Sequence, residues 1–128
     1  IIRDHDAASF TCRIKTLEHI AKILNEKWGE GTVKLTITEQ YRNMKEIINT
    51  CMDLIDCATA ACKECETPAL ITPIRGGTDG ARLSFMGVPC PNLGTGGHAF
   101  HGPYEHITVE GMDIAVEVGL KIIELFYK

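Results

Sequence analysis

Two glycine-rich segments carry the side chains most capable of chemistry. The first is Arg75-Gly76-Gly77-Thr78-Asp79-Gly80. Glycines let backbone N–H groups approach an anion closely, and a helix that begins just after them attracts negative charge. Arg75 adds a planar fork that can hold a carboxylate or phosphate at two points. The same run also reads as a tight strand-to-helix turn, with Asp79 as the cap and Arg75 in solvent. It lacks the longer glycine spacing, ending in Lys and Ser/Thr, of a phosphate loop. The second segment is Gly96-Gly97-His98-Ala99-Phe100-His101-Gly102-Pro103-Tyr104-Glu105-His106. Three histidines within nine residues suit a metal ligand, because a loop can aim an imidazole without helical constraint. A catalytic zinc takes about three protein groups, so this loop alone cannot complete a site. Elsewhere the candidates are His5, His19 and scattered carboxylates, and His19 beside Glu18 reads as a surface residue. A polar turn is the other reading of the histidine loop.

The six cysteines are a third candidate. Cys62-Lys63-Glu64-Cys65 is a C-x-x-C pair, but Cys51 and Cys57 are too widely spaced to form the second tight pair of a zinc site. Their stretch has helical spacing, where small thiols fill core positions. All six, with Cys12 and Cys90, are expected to be reduced.

The elements that must position these loops follow from periodicity. Ile1 to His5 is a short strand candidate, and Asp6 can cap the helix after it. Phe10, Ile14, Leu17, Ala21, Leu24 and Trp28 recur at spacings of three and four, the stripe of an amphipathic helix that Gly29 and Gly31 end. Val33, Leu35 and Ile37 alternate with Lys34, Thr36 and Thr38, a strand with one wet face. Residues 1 to about 41 therefore read β-α-β. The pattern changes after Met44. A helix is predicted over residues 50–66, capped by Asn49 or Thr50 and closed by Pro68. Leu70, Ile71 and Ile74 suggest a short buried strand, and a further helix runs from Asp79 to Phe85. A last helix starts near Thr108, with Met112, Ala115, Val116, Gly119, Leu120, Ile123 and Phe126 as its buried stripe. Strands alternating with helices predict an α/β sheet in the second half, preceded by a smaller α+β unit. In such sheets, sites form at the carboxyl ends of the strands, where both glycine loops would lie.

The chain has 128 residues, 45% hydrophobic and 23% charged, with a formal net charge of −4. That balance gives no electrostatic footprint for nucleic acid, and Lys and Arg are scattered rather than clustered. No apolar run is long enough to span a bilayer. The first residues have no charged n-region followed by an apolar h-region, so no signal peptide is expected. The chain opens on Ile1 rather than Met, and it is expected to be part of a longer protein.

The run Pro73-Ile74-Arg75-Gly76-Gly77-Thr78-Asp79-Gly80-Ala81-Arg82-Leu83-Ser84-Phe85-Met86-Gly87-Val88-Pro89-Cys90-Pro91-Asn92-Leu93 closely resembles the peptidase T family. Thr95-Gly96-Gly97, His101-Gly102, Glu105 and Val109-Glu110-Gly111-Met112 continue it in register. Ile1-Ile2-Arg3-Asp4 and Tyr41-Arg42-Asn43-Met44 fit upstream, so the resemblance spans nearly the whole chain.

The resemblance implies a cytosolic aminotripeptidase with two Zn2+ ions per full-length subunit. It implies an α/β metallopeptidase catalytic domain, with an inserted two-layer α+β lid that makes a homodimer. Residues 1–44 would be the C-terminal part of the lid/dimerisation domain, and residues 45–128 the C-terminal part of the catalytic domain. His101 falls on the last metal ligand, the one that binds a single zinc. Arg75 falls on a substrate-binding arginine beside the metals. Arg3 falls on the lid arginine that meets the carboxylate end of a tripeptide. The other ligands and the general-base glutamate would lie outside the chain, which would then be inactive alone. Around His101 the sequence departs from the family, whose members usually carry an aromatic, Asn and Lys-His, so His98 and His106 inherit no role. Two other readings compete. One is a non-catalytic anion-binding or interaction domain built on the Arg75 loop. The other is a related metallohydrolase acting on dipeptides or acylated amino acids.

Overall fold

A computed structural model describes residues 1–74 and 77–127. Arg75 and Gly76 lie outside the described residues, and so does the role expected of Arg75. The described chain holds five helices: α1 (Ala7–Trp28), α2 (Lys45–Ile48), α3 (Asp53–Glu64), α4 (Asp79–Phe85) and α5 (Val109–Tyr127).

Helix α1 starts where a cap is available. Asp6 has extended backbone, and its Oδ1 accepts a hydrogen bond from Ser9 N–H at 2.7 Å, satisfying one of the free donors of the first turn. Gly29 ends the helix at φ 107°, a value that few side chains tolerate. The chain then returns along α1. Asn25 holds it there, its Nδ2 donating to Val33 O at 3.0 Å and its Oδ1 accepting from Val33 N–H at 2.8 Å. Helix α1 makes no contact with another helix among the described residues.

Helix α2 was not expected from the sequence, and it moves the start of α3. Thr50, a predicted cap, instead donates its hydroxyl to Ile47 O at 2.7 Å and closes the end of α2. Helix α3 therefore begins at Asp53 and no side chain caps it. It ends with Glu66 at φ 52° and Thr67 N–H bonded to Cys62 O at 2.9 Å, ahead of Pro68. Helix α4 matches its predicted bounds, but its cap is Thr78, whose Oγ1 accepts from Ala81 N–H, rather than Asp79. Met44, Ile48 and Ala81 form a small buried cluster, with Ile55 and Ile74 packed on it.

Helices α3 and α5 pack on each other. Ala61 and Val118 are the residues they bury, and Lys121 bridges to Glu64 across the pair at 3.5 Å. The face of α5 turned inward shares only Ala115 and Gly119 with the predicted stripe. Val116, Leu120, Ile123 and Phe126 are all exposed, while Val118 is buried and Ala115, Ile122 and Leu125 are half-buried. α5 is apolar on more than one side, and periodicity alone did not select the side that meets α3.

The predicted α/β sheet is absent among the described residues. Ile1 to His5, Val33 to Ile37 and Leu70 to Ile74 form no ladder, and the one β-bridge joins His98 to His106. An isolated strand leaves its backbone groups unpaired and one face bare, so it gains nothing without a neighbour. Leu70 and Ile71 are accordingly 85% and 67% exposed. The total accessible surface is 10,024 Å2, whereas a folded monomer of 14.1 kDa exposes about 6,700 Å2 by the usual scaling with mass. The excess is the surface of faces that have no partner within this chain. No helix of the described residues is long and apolar enough to cross a membrane.

Candidate functional site

The histidine loop is a short hairpin. His98 N–H donates to His106 O at 2.8 Å, and His106 N–H donates back to His98 O at 3.2 Å. The two imidazoles stack with ring centroids 5.3 Å apart, and His106 Nδ1 lies 2.8 Å from Tyr104 O. His98 and His106 are thus the stem. His101 stands at the tip with φ 64°, its backbone N–H donating to Glu105 Oε2 at 3.1 Å. Its ring is exposed and has no hydrogen-bond partner among the described residues.

Glycines seat this hairpin against α5. Gly96 has φ 78°, and a Cβ there would lie 3.1 Å from Gly111 O. A Cβ at Gly111 would in turn meet Thr108 Oγ1 at 3.3 Å and Gly96 O at 3.4 Å. Thr108 Oγ1 accepts from Gly111 N–H at 3.0 Å, so the start of α5 and the base of the hairpin form one unit. Ser84 ties the preceding loop to α4, donating to Gly80 O at 2.7 Å and accepting from Cys90 N–H at 2.9 Å.

This geometry leaves the His101 ring unpaired and completes no ligand set beside it among the described residues. Among the described residues, no three His, Cys, Asp or Glu side chains converge on a common metal position. A catalytic zinc needs about three protein ligands, so the described residues of this chain hold part of a metal centre at most. The six cysteines are free, and Cys57 Sγ faces Ile122 O at 3.9 Å in the α3–α5 contact.

A cavity of about 430 Å3 lies elsewhere, lined by Arg3, Asp4, His5, Arg13, Arg42 and Asn43 among others. Two of its three arginines are paired. Arg13 Nε meets Asp4 Oδ2 at 2.7 Å, which lowers the Asp4 carboxyl below its ordinary value. Arg42 grips Glu39 through Nε and NH2 at 2.7 and 3.0 Å, lowering Glu39 and raising Arg42. Arg3 has no charged or hydrogen-bonding partner among the described residues. A free guanidinium on a cavity wall is suited to an incoming carboxylate. The ring of Tyr41 also lines this cavity and lies against Gly77, which brings the end of the Arg75 loop to the same region.

Sequence reasoning gave Asn43 no role and offered His5 only as a remaining candidate metal ligand, whereas its ring faces Asn43. Asn43 Nδ2 lies 3.3 Å from both His5 Nδ1 and Ile74 O, joining three segments distant in sequence. The only sequence sign was the place of Asn43 in the Tyr41-Arg42-Asn43-Met44 run.

No family model matches the chain. Comparison with individual proteins is decisive about kinship. The chain is 54% identical over all 128 residues to the peptidase T of Alkaliphilus oremlandii. It is 53% identical over 126 residues to the peptidase T of Clostridium perfringens, and 50% identical over 128 residues to that of Caldanaerobacter subterraneus. These relatives are peptidases by name, and over all or nearly all of its length the chain is similar to members of the peptidase T family. It spans 31% of the length of each of these relatives.

Proposed function

We propose that these 128 residues are the C-terminal part of a metal-dependent aminopeptidase that releases the N-terminal residue from tripeptides. Identity of 50–54% to peptidase T over the whole chain carries this reading. The exposed apolar segments support it further. Residues 1–44 would end a lid and dimerisation domain, and residues 45–128 would end the catalytic domain. The unpaired segments at 1–5, 33–37 and 70–74 would then be strands of α+β and α/β sheets completed by the rest of the protein. The enzyme would act in the cytoplasm as a homodimer joined through the lid.

His101 would bind one of two zinc ions, which would supply a polarising charge for the scissile carbonyl and an acidified water. The hairpin geometry supports this role, because the stem histidines are occupied with each other and the tip imidazole is free. Arg3 would hold the carboxylate end of the substrate, and Arg75 would bind substrate near the metals. Together the two arginines would set the length of peptide accepted. The remaining ligands and the proton-transferring glutamate would come from outside this chain.

The test is tripeptide hydrolysis by the intact protein with zinc, beside the 128-residue chain alone. The intact protein should release the N-terminal residue and lose activity to a chelator, and the chain alone should be inactive. Hydrolysis by the chain alone would refute the ligand count. An intact protein that bound tripeptides without metal and without hydrolysis would favour the anion-binding reading.

A further inference from the structure

We propose that Asn43 is a positioning residue that sets Arg3 against the substrate's carboxylate by latching the Arg3 segment to the chain around Ile74. The inference rests on the aminopeptidase reading and on the role of Arg3 within it. Its observation is the placement of the Asn43 amide. Lys45 N–H, which can only donate, points to Asn43 Oδ1 at 2.9 Å. That contact fixes the orientation of the amide. Nδ2 then faces Ile74 O at 3.3 Å and must donate to it, and the same group faces His5 Nδ1 at 3.3 Å. His5 Nδ1 must therefore be the accepting nitrogen, with the proton on Nε2. His5, Asn43 and Ile74 are all half-buried, and all line the cavity that Arg3 lines.

Arg3 lies two residues before His5, and both line the cavity. With no partner of its own among the described residues, Arg3 is located only by its backbone. The backbone is in turn held at His5 by Asn43. Asp4 braces the same segment by its pair with Arg13, which lies on α1. Asn43 joins this segment to Ile74, close to where Met44 packs with Ala81 and the Tyr41 ring lies against Gly77. A guanidinium that clamps a carboxylate depends on its own segment being held in place.

Asn43→Asp separates the latch from the cap. It keeps an oxygen for Lys45 N–H but removes both donations, to Ile74 O and to His5 Nδ1. In the intact enzyme, KM should rise about tenfold for a tripeptide with a free carboxylate, with kcat changed less than about twofold, as expected for loss of binding shared by ground and transition states. For the same tripeptide as its C-terminal amide, which offers Arg3 no anion, KM should stay within about twofold. His5→Ala should reproduce this selective loss, and the double variant should lose little more than either single, because both cut one connection. Equal losses for the acid and the amide, or additive effects of the two substitutions, would overturn the latch and leave the peptidase reading standing. An intact wild-type enzyme that hydrolysed neither peptide would overturn both. If Asn43→Asp fails to fold, His5→Ala decides by the same comparison, since it leaves Asn43 and its other bonds in place.

Discussion

Gly96 should be the position where one added methyl does most harm to the histidine hairpin. Two separate costs fall there. Its φ of 78° is left-handed, which costs an L-residue roughly 1–2 kcal/mol. A Cβ would also press on Gly111 O at 3.1 Å, a backbone atom at the first turn of α5 that cannot rotate aside. Overpacking of this kind adds roughly 1–3 kcal/mol. Gly96→Ala should therefore cost about 2–5 kcal/mol. Gly94 is the control, two residues away, where a Cβ meets nothing within 4 Å and φ is not left-handed. Gly94→Ala should be neutral or stabilise by up to about 1 kcal/mol through the unfolded chain. The assay is urea unfolding of both variants of the intact protein, together with zinc affinity by chelator competition. If the hairpin stays docked, the strain appears as lost stability; if it lifts off α5, His101 is displaced and zinc affinity falls instead. Variants that differed by less than about 0.5 kcal/mol, with equal zinc affinity, would refute the claim that the Gly96–Gly111 contact seats the ligand loop.

His101→Ala in the intact enzyme should lose zinc and nearly all turnover while remaining folded by circular dichroism. His98→Ala and His106→Ala should keep both, because the stem bridge is made by backbone atoms and survives loss of the rings; zinc loss in either would reassign the ligand. Thiol titration of denatured, non-reduced protein should find six free thiols in this chain, and a count of two or fewer would overturn the reduced reading. The Asp6 cap should make α1 acid-sensitive. The hydrogen bond from Ser9 N–H lowers the Asp6 pKa, so its stabilisation is fully present above the ordinary value of 3.8 and is lost as pH falls through the lower folded value. Asp6→Asn keeps a capping oxygen that does not titrate, so the share of helix that wild type loses below pH 3.8 should persist in this variant.

Much of the local structure was determined by the sequence itself, because helices are made of near neighbours. Asp6 and Gly29 bounded α1, and Asp79 to Phe85 was legible to the residue. Capping and spacing act within one or two turns, so one segment contains all the information they need. Choices between competing local partners were less legible. Thr50 could cap the helix ahead of it or close the turn behind it, and it did the second. The inward face of α5 was decided by α3, since a helix apolar on several sides has no preference until another surface arrives.

The resemblance had singled out His101, and the tertiary structure added how the three loop histidines are placed. His98 and His106 pair across the hairpin and leave His101 free at the tip, a distinction that depends on a β-bridge rather than on residue type. Asn43 likewise acquired its proposed role only when segments 38 and 31 residues away came within hydrogen-bonding reach. The strands show the opposite limit. Their alternation is written in the sequence, but a strand is completed by hydrogen bonds to a neighbour, and none of the described residues supplies one.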